Sequence, residues 1–238
     1  MVFEDVAAAD YDRFMGRFSV PLADVFATWA GVPDEGRMLD VGSGPGALTA
    51  VLAERRGASA VTAIDPKPGF VAELALRVPG VDARVGPAEH LPFADDTFAG
   101  VYAELVVHFM TDAHAGIGEM VRVARPGAVV AACVWDFENA RAPHSAFLTL
   151  ASAETGRGRG AARPGTDRGD LAPRLRDAGC RDVAEAELSV TAVFDDVDEW
   201  GGAHARRRLD GARPRRPGRR GDRADPRGRA RPLRWRTG

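Results

Sequence analysis

The 238-residue sequence predicts an α/β fold, a doubly wound and mostly parallel sheet with helices on both faces. Three observations predict it. Short apolar runs alternate with amphipathic stretches between residues 37 and 135. The runs are apolar almost throughout, as strands buried on both faces are. The first run also ends in an acid followed by glycines at alternate positions, Met38-Leu39-Asp40-Val41-Gly42-Ser43-Gly44-Pro45-Gly46, the pattern of a buried strand turning sharply into a helix.

Residues 4 to 31 read as helical with a break near Gly16 to Pro21. Arg37 to Val41 is the first strand, and Ala47 to Arg56 a helix with Leu48, Val51 and Leu52 on one face. Ser59 to Asp65 is the second strand, and Pro68 to Val78 a helix with Val71, Leu74, Ala75 and Val78 at core spacing. Val81 to Val85 and Phe98 to Leu105 are strands three and four, and Asp112 to Ala124 is a helix. Pro126-Gly127 makes a turn into a fifth strand, Ala128 to Trp135. After a Gly/Arg-rich connection, Asp170 to Ala178 is a helix ending on Gly179, and Asp182 to Phe194 alternates as a sixth strand should.

The net charge of −2 hides an asymmetry. Residues 201–238 hold 14 Arg against three Asp, which leaves the first 200 residues at about −13. That acidic part is a poor match for nucleic acid, and binding through the basic tail is the one route left open. The tail contains no Val, Ile, Phe, Met or Tyr, and no helical or strand period is read in it, so disorder is expected. A GC-rich gene read out of frame is an alternative source of such Arg/Gly/Pro/Ala composition; with one choice of GC-rich codons, Gly202 to Arg208 shifted by one base reads E-P-T-L-G-V. Cys133 and Cys180 sit in apolar contexts far apart, as free thiols in a reducing cytosol do. With no leader-like N-terminus and no apolar run near 20 residues, a cytoplasmic protein without a membrane span is expected. No set of residues has metal-ligand spacing.

The glycine turn predicts a nucleoside-cofactor crevice. Asp65, which closes the second strand, is positioned to accept a ribose diol. Gly42, Gly44 and Ala47 also satisfy G-x-G-x-x-A, so this segment alone leaves a nicotinamide cofactor and S-adenosylmethionine level. Further along come Ala88-Glu89-His90-Leu91-Pro92-Phe93, then D-D-T-F-A-G-V-Y from Asp95, then Glu119-Met120-Val121-Arg122-Val123-Ala124-Arg125-Pro126-Gly127.

In this order, with L-D-V-G-S-G-P-G, the motifs resemble the class I S-adenosylmethionine-dependent methyltransferases, above all the small-molecule type 11 group. Tyr11 to Ser19 resembles that group's N-terminal cap. The resemblance covers about residues 8–200 and implies a Rossmann-like methyltransferase domain over 1–200, with residues 1–31 as a helical cap. It also implies a final antiparallel strand between strands five and six, which is expected to be missing because the 201–238 tail offers no candidate.

Roles follow by resemblance. Asp40 and the Gly42, Ser43, Gly44, Gly46 turn would hold the methionyl amino and carboxylate groups. Asp65 would accept both ribose hydroxyls, with Pro66 and Lys67 bordering the adenosine. Ala88 N–H and Glu89 would read the adenine edge. The family often has Asp at the position of Pro87, so the exocyclic amine either loses a partner or is read by Glu89. Tyr11 and Arg17 would close over the cofactor. Glu104 to His108 would face the transferred methyl, with His108 or Glu104 available for acid–base help to a small-molecule acceptor; the apolar run Leu105-Val106-Val107 before His108 favours a packing role for it over that of a base. A nicotinamide oxidoreductase and an inactive cofactor-binding remnant stay as alternative readings; the downstream motifs weigh against the first, and the aberrant tail keeps the second open.

Overall fold

The computed structural model describes residues 15–137, 139, 141–143, 145, 164–166, 169–194 and 233–237. Five strands, β1 (Met38–Val41), β2 (Val61–Asp65), β3 (Asp82–Val85), β4 (Phe98–Glu104) and β5 (Ala124–Cys133), form one sheet in the order β3-β2-β1-β4-β5. Every pairing in it is parallel. The chain winds outward from β1 through α2 (Ala47–Arg56), β2 and α3 (Pro68–Arg77) to β3, then returns to the other side of β1 as β4. That reversal puts a crevice at the carboxyl ends of β1 and β4.

Alternate side chains of each strand serve two layers. Met38 of β1 and Tyr102 of β4 pack with Leu48 and Leu52 of α2 and with Phe18, Leu22 and Phe26 of α1 (Arg17–Ala30). Leu39, Val41 and Val101 face the opposite way, toward Ile117, Met120 and Val123 of α4 (Ala113–Val123) and Leu171 and Leu175 of α5 (Leu171–Asp177). Burial of each such Leu, Ile or Phe contributes about 1.5–3 kcal/mol, which is why near-uniformly apolar strands settle between two helix layers.

Several expectations are corrected. No break divides α1: it runs through Pro21, whose missing N–H frees only the Arg17 carbonyl on the exposed side of the helix. β5 begins at Ala124 because the Pro126-Gly127 turn is a bulge inside the strand; Phe98 pairs Ala124, and Gly100 already pairs Val129. β6 is shorter than expected, Leu188–Ala192, and lies outside the five-stranded sheet.

The tail also contains a strand. β7 (Leu233–Thr237) pairs antiparallel with β6, Val190 opposite Trp235. The five-residue alternation Leu233-Arg234-Trp235-Arg236-Thr237 is a strand pattern that a count of apolar residues over the whole tail dilutes. This strand completes a two-stranded sheet and is not inserted beside β5. The expectation of disorder for the rest of 201–238 lies outside the described residues.

Tyr102 ties the sheet to α1. Its buried hydroxyl donates to the Gly31 carbonyl at 2.8 Å, and burial drives the phenol above its ordinary range. A Cβ on Gly100, two residues back on the same face, would sit 2.6 Å from that hydroxyl oxygen. Tyr102→Phe should therefore cost about 1 kcal/mol, one hydrogen bond to a solvent-accessible carbonyl. Gly100→Ala should cost more, about 1–3 kcal/mol, because the ring must give way. Urea denaturation of the two variants tests the order, and an equal or reversed cost would contradict this account.

Candidate functional site

Beyond β1 the chain makes a tight turn over the end of β2. Gly42 N–H and Ser43 N–H both donate to the Ile64 carbonyl, at 2.8 and 3.1 Å. Gly42, Gly44 and Gly46 all have positive φ, at 69°, 54° and 101°, a conformation that side chains strain. Gly42 is doubly constrained, since a Cβ there would collide with the Val106 side chain from the loop after β4. Gly46 then opens α2 as its N-cap.

Two carboxylates flank this turn. Asp65, at the end of β2, accepts from Gly44 N–H through Oδ2 and from Lys67 N–H through Oδ1, both at 2.9 Å. Acid and turn are thus one unit, with Asp65 6% exposed at its edge. Burial raises its pKa, and the two amides oppose that rise. Asp40, at the end of β1, is 1% exposed. Its Oδ2 accepts from the Thr49 hydroxyl of α2 at 2.6 Å, while its Oδ1 is shut from solvent without a hydrogen bond. Burial lifts the Asp40 pKa from 3.8 to about 7, against the Thr49 bond and with repulsion from Asp65 adding to the rise.

A third carboxyl arrives from β4. Asp40 pairs Tyr102 in the parallel register, so Glu104, two residues on, points to the same face just beyond it. Glu104 Oε1 is buried without a partner, and its carboxyl is held well above the ordinary range by burial and by the Asp40 charge. Its neighbour Leu105 takes a positive φ of 59°, rare for a non-glycine, and donates its N–H to the Cys133 carbonyl at 2.9 Å. Asp40, Glu104, Gly42, Ser43, Gly44, Pro45 and Leu105 line one crevice, together with Ser19 of α1 and Ala47 and Leu48 of α2. Ser43 Oγ is also buried there without a partner.

The remaining sequence candidates fall into two groups. Pro66 follows Asp65 at the surface, and Lys67 lies 4.9 Å over the Phe70 ring. Ala88 is buried in the loop after β3. Glu89 beside it spends Oε1 on the N–H groups of Thr111 and Asp112, at 2.6 and 3.2 Å, fastening that loop to the start of α4. His108 is buried within a 3-10 turn, its ring 4.0 Å from Phe109 and 5.5 Å from Phe137. Arg17 is drawn away from the crevice lining: its guanidinium donates to the Val193 carbonyl at 3.2 Å and rests 4.9 Å over Phe194. Tyr11 lies outside the described residues.

Sequence reasoning did not single out Thr49 or Ser19. Each is a polar residue on an otherwise apolar helix face, Thr49 between Leu48 and Leu52, Ser19 beside Phe18 and Leu22. That local exception was the available signal.

The buried acceptor oxygens, the turn that a side chain would fill, and the acid at the tip of β2 fit a ligand carrying an ammonium and a ribose. Comparison with known proteins names the class. Residues 39–132 match the family model described as a methyltransferase domain. Over those residues the chain is similar to a methyltransferase domain. S-adenosylmethionine is the cofactor of that domain. An uncharacterized methyltransferase of Mycobacterium tuberculosis is 36% identical over 105 residues, 44% of this chain and 42% of that protein. The demethylmenaquinone methyltransferase of Chlorobaculum parvum is 38% identical over 93 residues, 39% and 38% of the two chains. An uncharacterized Mycobacterium tuberculosis protein is 31% identical over 136 residues, 56% and 49%. The chain thus spans about half or less of the length of the curated relatives it matches.

Among solved structures, a Thermotoga maritima S-adenosylmethionine-dependent methyltransferase titled a possible histamine N-methyltransferase superposes with a TM-score of 0.58. It is 21% identical, with 79% of this chain and 83% of that one covered. A SAM-dependent methyltransferase of Aquifex aeolicus gives 0.52 at 21% identity, covering 70% and 83%. These likenesses show that the chain shares its fold with both. No described helix is long and apolar enough to cross a membrane.

The raised Asp40 pKa has a consequence for the ligand-free chain. A carboxyl with a raised folded-state pKa supports the fold while protonated and loses that support as pH climbs from about 4 to about 7. The shift is worth on the order of 4 kcal/mol once ionisation is complete, and Glu104 acts in the same direction. Asp40→Asn keeps an acceptor for Thr49 and removes the charge. The ligand-free variant should therefore melt several degrees above the parent at pH 8 and show little difference at pH 4. Thermal scans at both pH values decide, and an identical difference at the two would refute the assignment.

Proposed function

We propose that the protein transfers the methyl group of S-adenosylmethionine to a small-molecule acceptor by in-line displacement. One observation carries the reading: the glycine turn is bonded through Gly44 to Asp65, with the open oxygens of Asp40, Ser43 and Glu104 facing the same crevice. When bound, the cofactor supplies an electrophilic methyl on sulfonium. The residues around it bind, orient and exclude water. Asp65 would accept the ribose hydroxyls on lone pairs left beside its two amide bonds, with Pro66 at its border. Asp40 and the Gly42–Gly46 turn would receive the methionyl end, and Ala88 N–H the adenine edge.

Displacement at carbon needs nucleophile, methyl and sulfur in line, so alignment and dryness matter more than proton transfer. Leu105, following β4, gives this side of the crevice an apolar side chain. Where the acceptor carries a proton, Glu104 at the end of β4 and His108 in the turn after it are the acid–base candidates. Glu104 is the better supported, because it lines the crevice while His108 packs between two phenylalanines.

The small-molecule class rests on charge and on kinship. The first 200 residues carry about −13, which repels a phosphate backbone. One relative is named for demethylmenaquinone, a small molecule. Among the alternatives, a nicotinamide enzyme would bind NADH in place of the sulfonium nucleoside.

Calorimetry with S-adenosylhomocysteine and NADH side by side tests the reading. Binding of the first and not the second is expected, with Asp65→Ala weakening it about 100-fold or more, the loss of two hydrogen bonds to a charged acceptor. NADH binding in its place would overturn the assignment.

A further inference from the structure

Asp40 and Glu104 stand 64 positions apart in the sequence, and the β1–β4 register alone brings them together. Each ends with one carboxylate oxygen shut from solvent and without a hydrogen bond, and both side chains line the same crevice. Its described lining contains no Lys, Arg or His. Two acids facing a cation-free space cannot both be charged at moderate cost. Resting on the cofactor reading above, we infer that Asp40 and Glu104 act as one acid pair that shares a proton and releases it when a ligand ammonium enters.

Every element around the pair bears on that exchange. Thr49 from α2 donates to Asp40 and holds one of its oxygens. Asp65 from β2 adds negative charge, partly offset by Lys67. Cys133 from β5 is the register partner of Glu104, and its buried thiol is driven up and stays neutral. Ser19 from α1 and Ser43 from the turn are neutral hydroxyls. The one positive group among these, Lys67, acts on Asp65 and not on the pair, so the charge that neutralises the pair must come from the ligand. The balance is simple. The pair with one proton carries a charge of about −1; an entering ammonium donates its N–H bonds to the two open oxygens, and the displaced proton leaves to the buffer. Net charge in the crevice is conserved, which is why the exchange is favourable in a low-dielectric site.

Glu104 thereby acquires a role distinct from acid–base help to the acceptor. It is a positioning residue for the amino-acid end of the ligand, and it makes affinity depend on pH. The expected dependence is a gain of up to about tenfold per pH unit between pH 6 and pH 8, the limit for release of one proton.

The test is isothermal titration calorimetry on the full chain at pH 7, in phosphate and in Tris, whose ionisation enthalpies differ. With S-adenosylhomocysteine, the heats should differ between buffers by an amount that corresponds to release of a substantial fraction of one proton. With 5′-methylthioadenosine, which has the nucleoside and thioether but no ammonium, the two buffers should agree. Glu104→Gln should still bind S-adenosylhomocysteine, with proton release and pH dependence both reduced. Should that variant not fold, the contrast between the two ligands on the parent chain decides alone. Binding of S-adenosylhomocysteine with equal heats in both buffers, or equal proton release with both ligands, overturns the proton exchange and leaves the cofactor reading intact. No binding of either ligand overturns the cofactor reading, and the exchange with it.

Discussion

The hydrogen bond from Gly44 N–H to Asp65 Oδ2 joins the two structural facts on which the crevice depends. One is the glycine turn, which keeps its backbone bare by closing with positive φ at three positions. The other is the parallel pairing of β1 and β2, which sets the acid of β2 level with that turn. Without the bond, Asp65 would be a buried carboxylate with a single amide partner, and the turn would lose its lateral support. With it, the acid and the backbone edge are held as one unit. Everything else at this end of the sheet is arranged around that edge: α2 begins on Gly46, Val106 fills the space next to Gly42, and Leu74 of α3 packs 3.1 Å from where a Gly46 Cβ would lie.

Departures from local rules concentrate at the same place. Three non-glycine residues have positive φ among those described. Asp96 and Asp182 lie in exposed turns, where an Asp side chain tolerates that conformation. Leu105 has no such excuse, and it lines the crevice. All the buried carboxyl and hydroxyl oxygens without a partner among the described residues are also there: Asp40 Oδ1, Ser43 Oγ and Glu104 Oε1. Open acceptors gathered at one crevice mark a place for a ligand rather than a piece of core.

The sheet was legible in the sequence because each of its strands is a short run with almost no polar interruption, and the glycine turn and its two acids announced the crevice. Other features were hidden for physical reasons. The β5 bulge changes where pairing starts without changing the apolar pattern. β7 depends on backbone pairing to β6, which tolerates Arg at alternate positions. Glu89 and Arg17 were expected at the cofactor, but a carboxylate or guanidinium takes whichever partner folding brings nearer. For these two, the nearer groups are the amides of Thr111 and Asp112 and the Val193 carbonyl. The partnership of Asp40 with Glu104 was beyond sequence reasoning altogether, since it exists only through strand register.

That partnership changes how the acid of the glycine motif is understood. Burial alone makes Asp40 costly to ionise despite its bond to Thr49, and the Asp40 charge in turn disfavours ionisation of Glu104, so the ligand-free fold carries an electrostatic penalty that a cation relieves. Stability is therefore given up in the absence of ligand and recovered on binding, and the recovery is selective for a positive group. A nucleoside lacking an ammonium would meet the same turn and the same Asp65 and gain nothing from the pair. The acidic floor of the crevice thus discriminates by charge at the one end of the cofactor that takes no part in the chemistry.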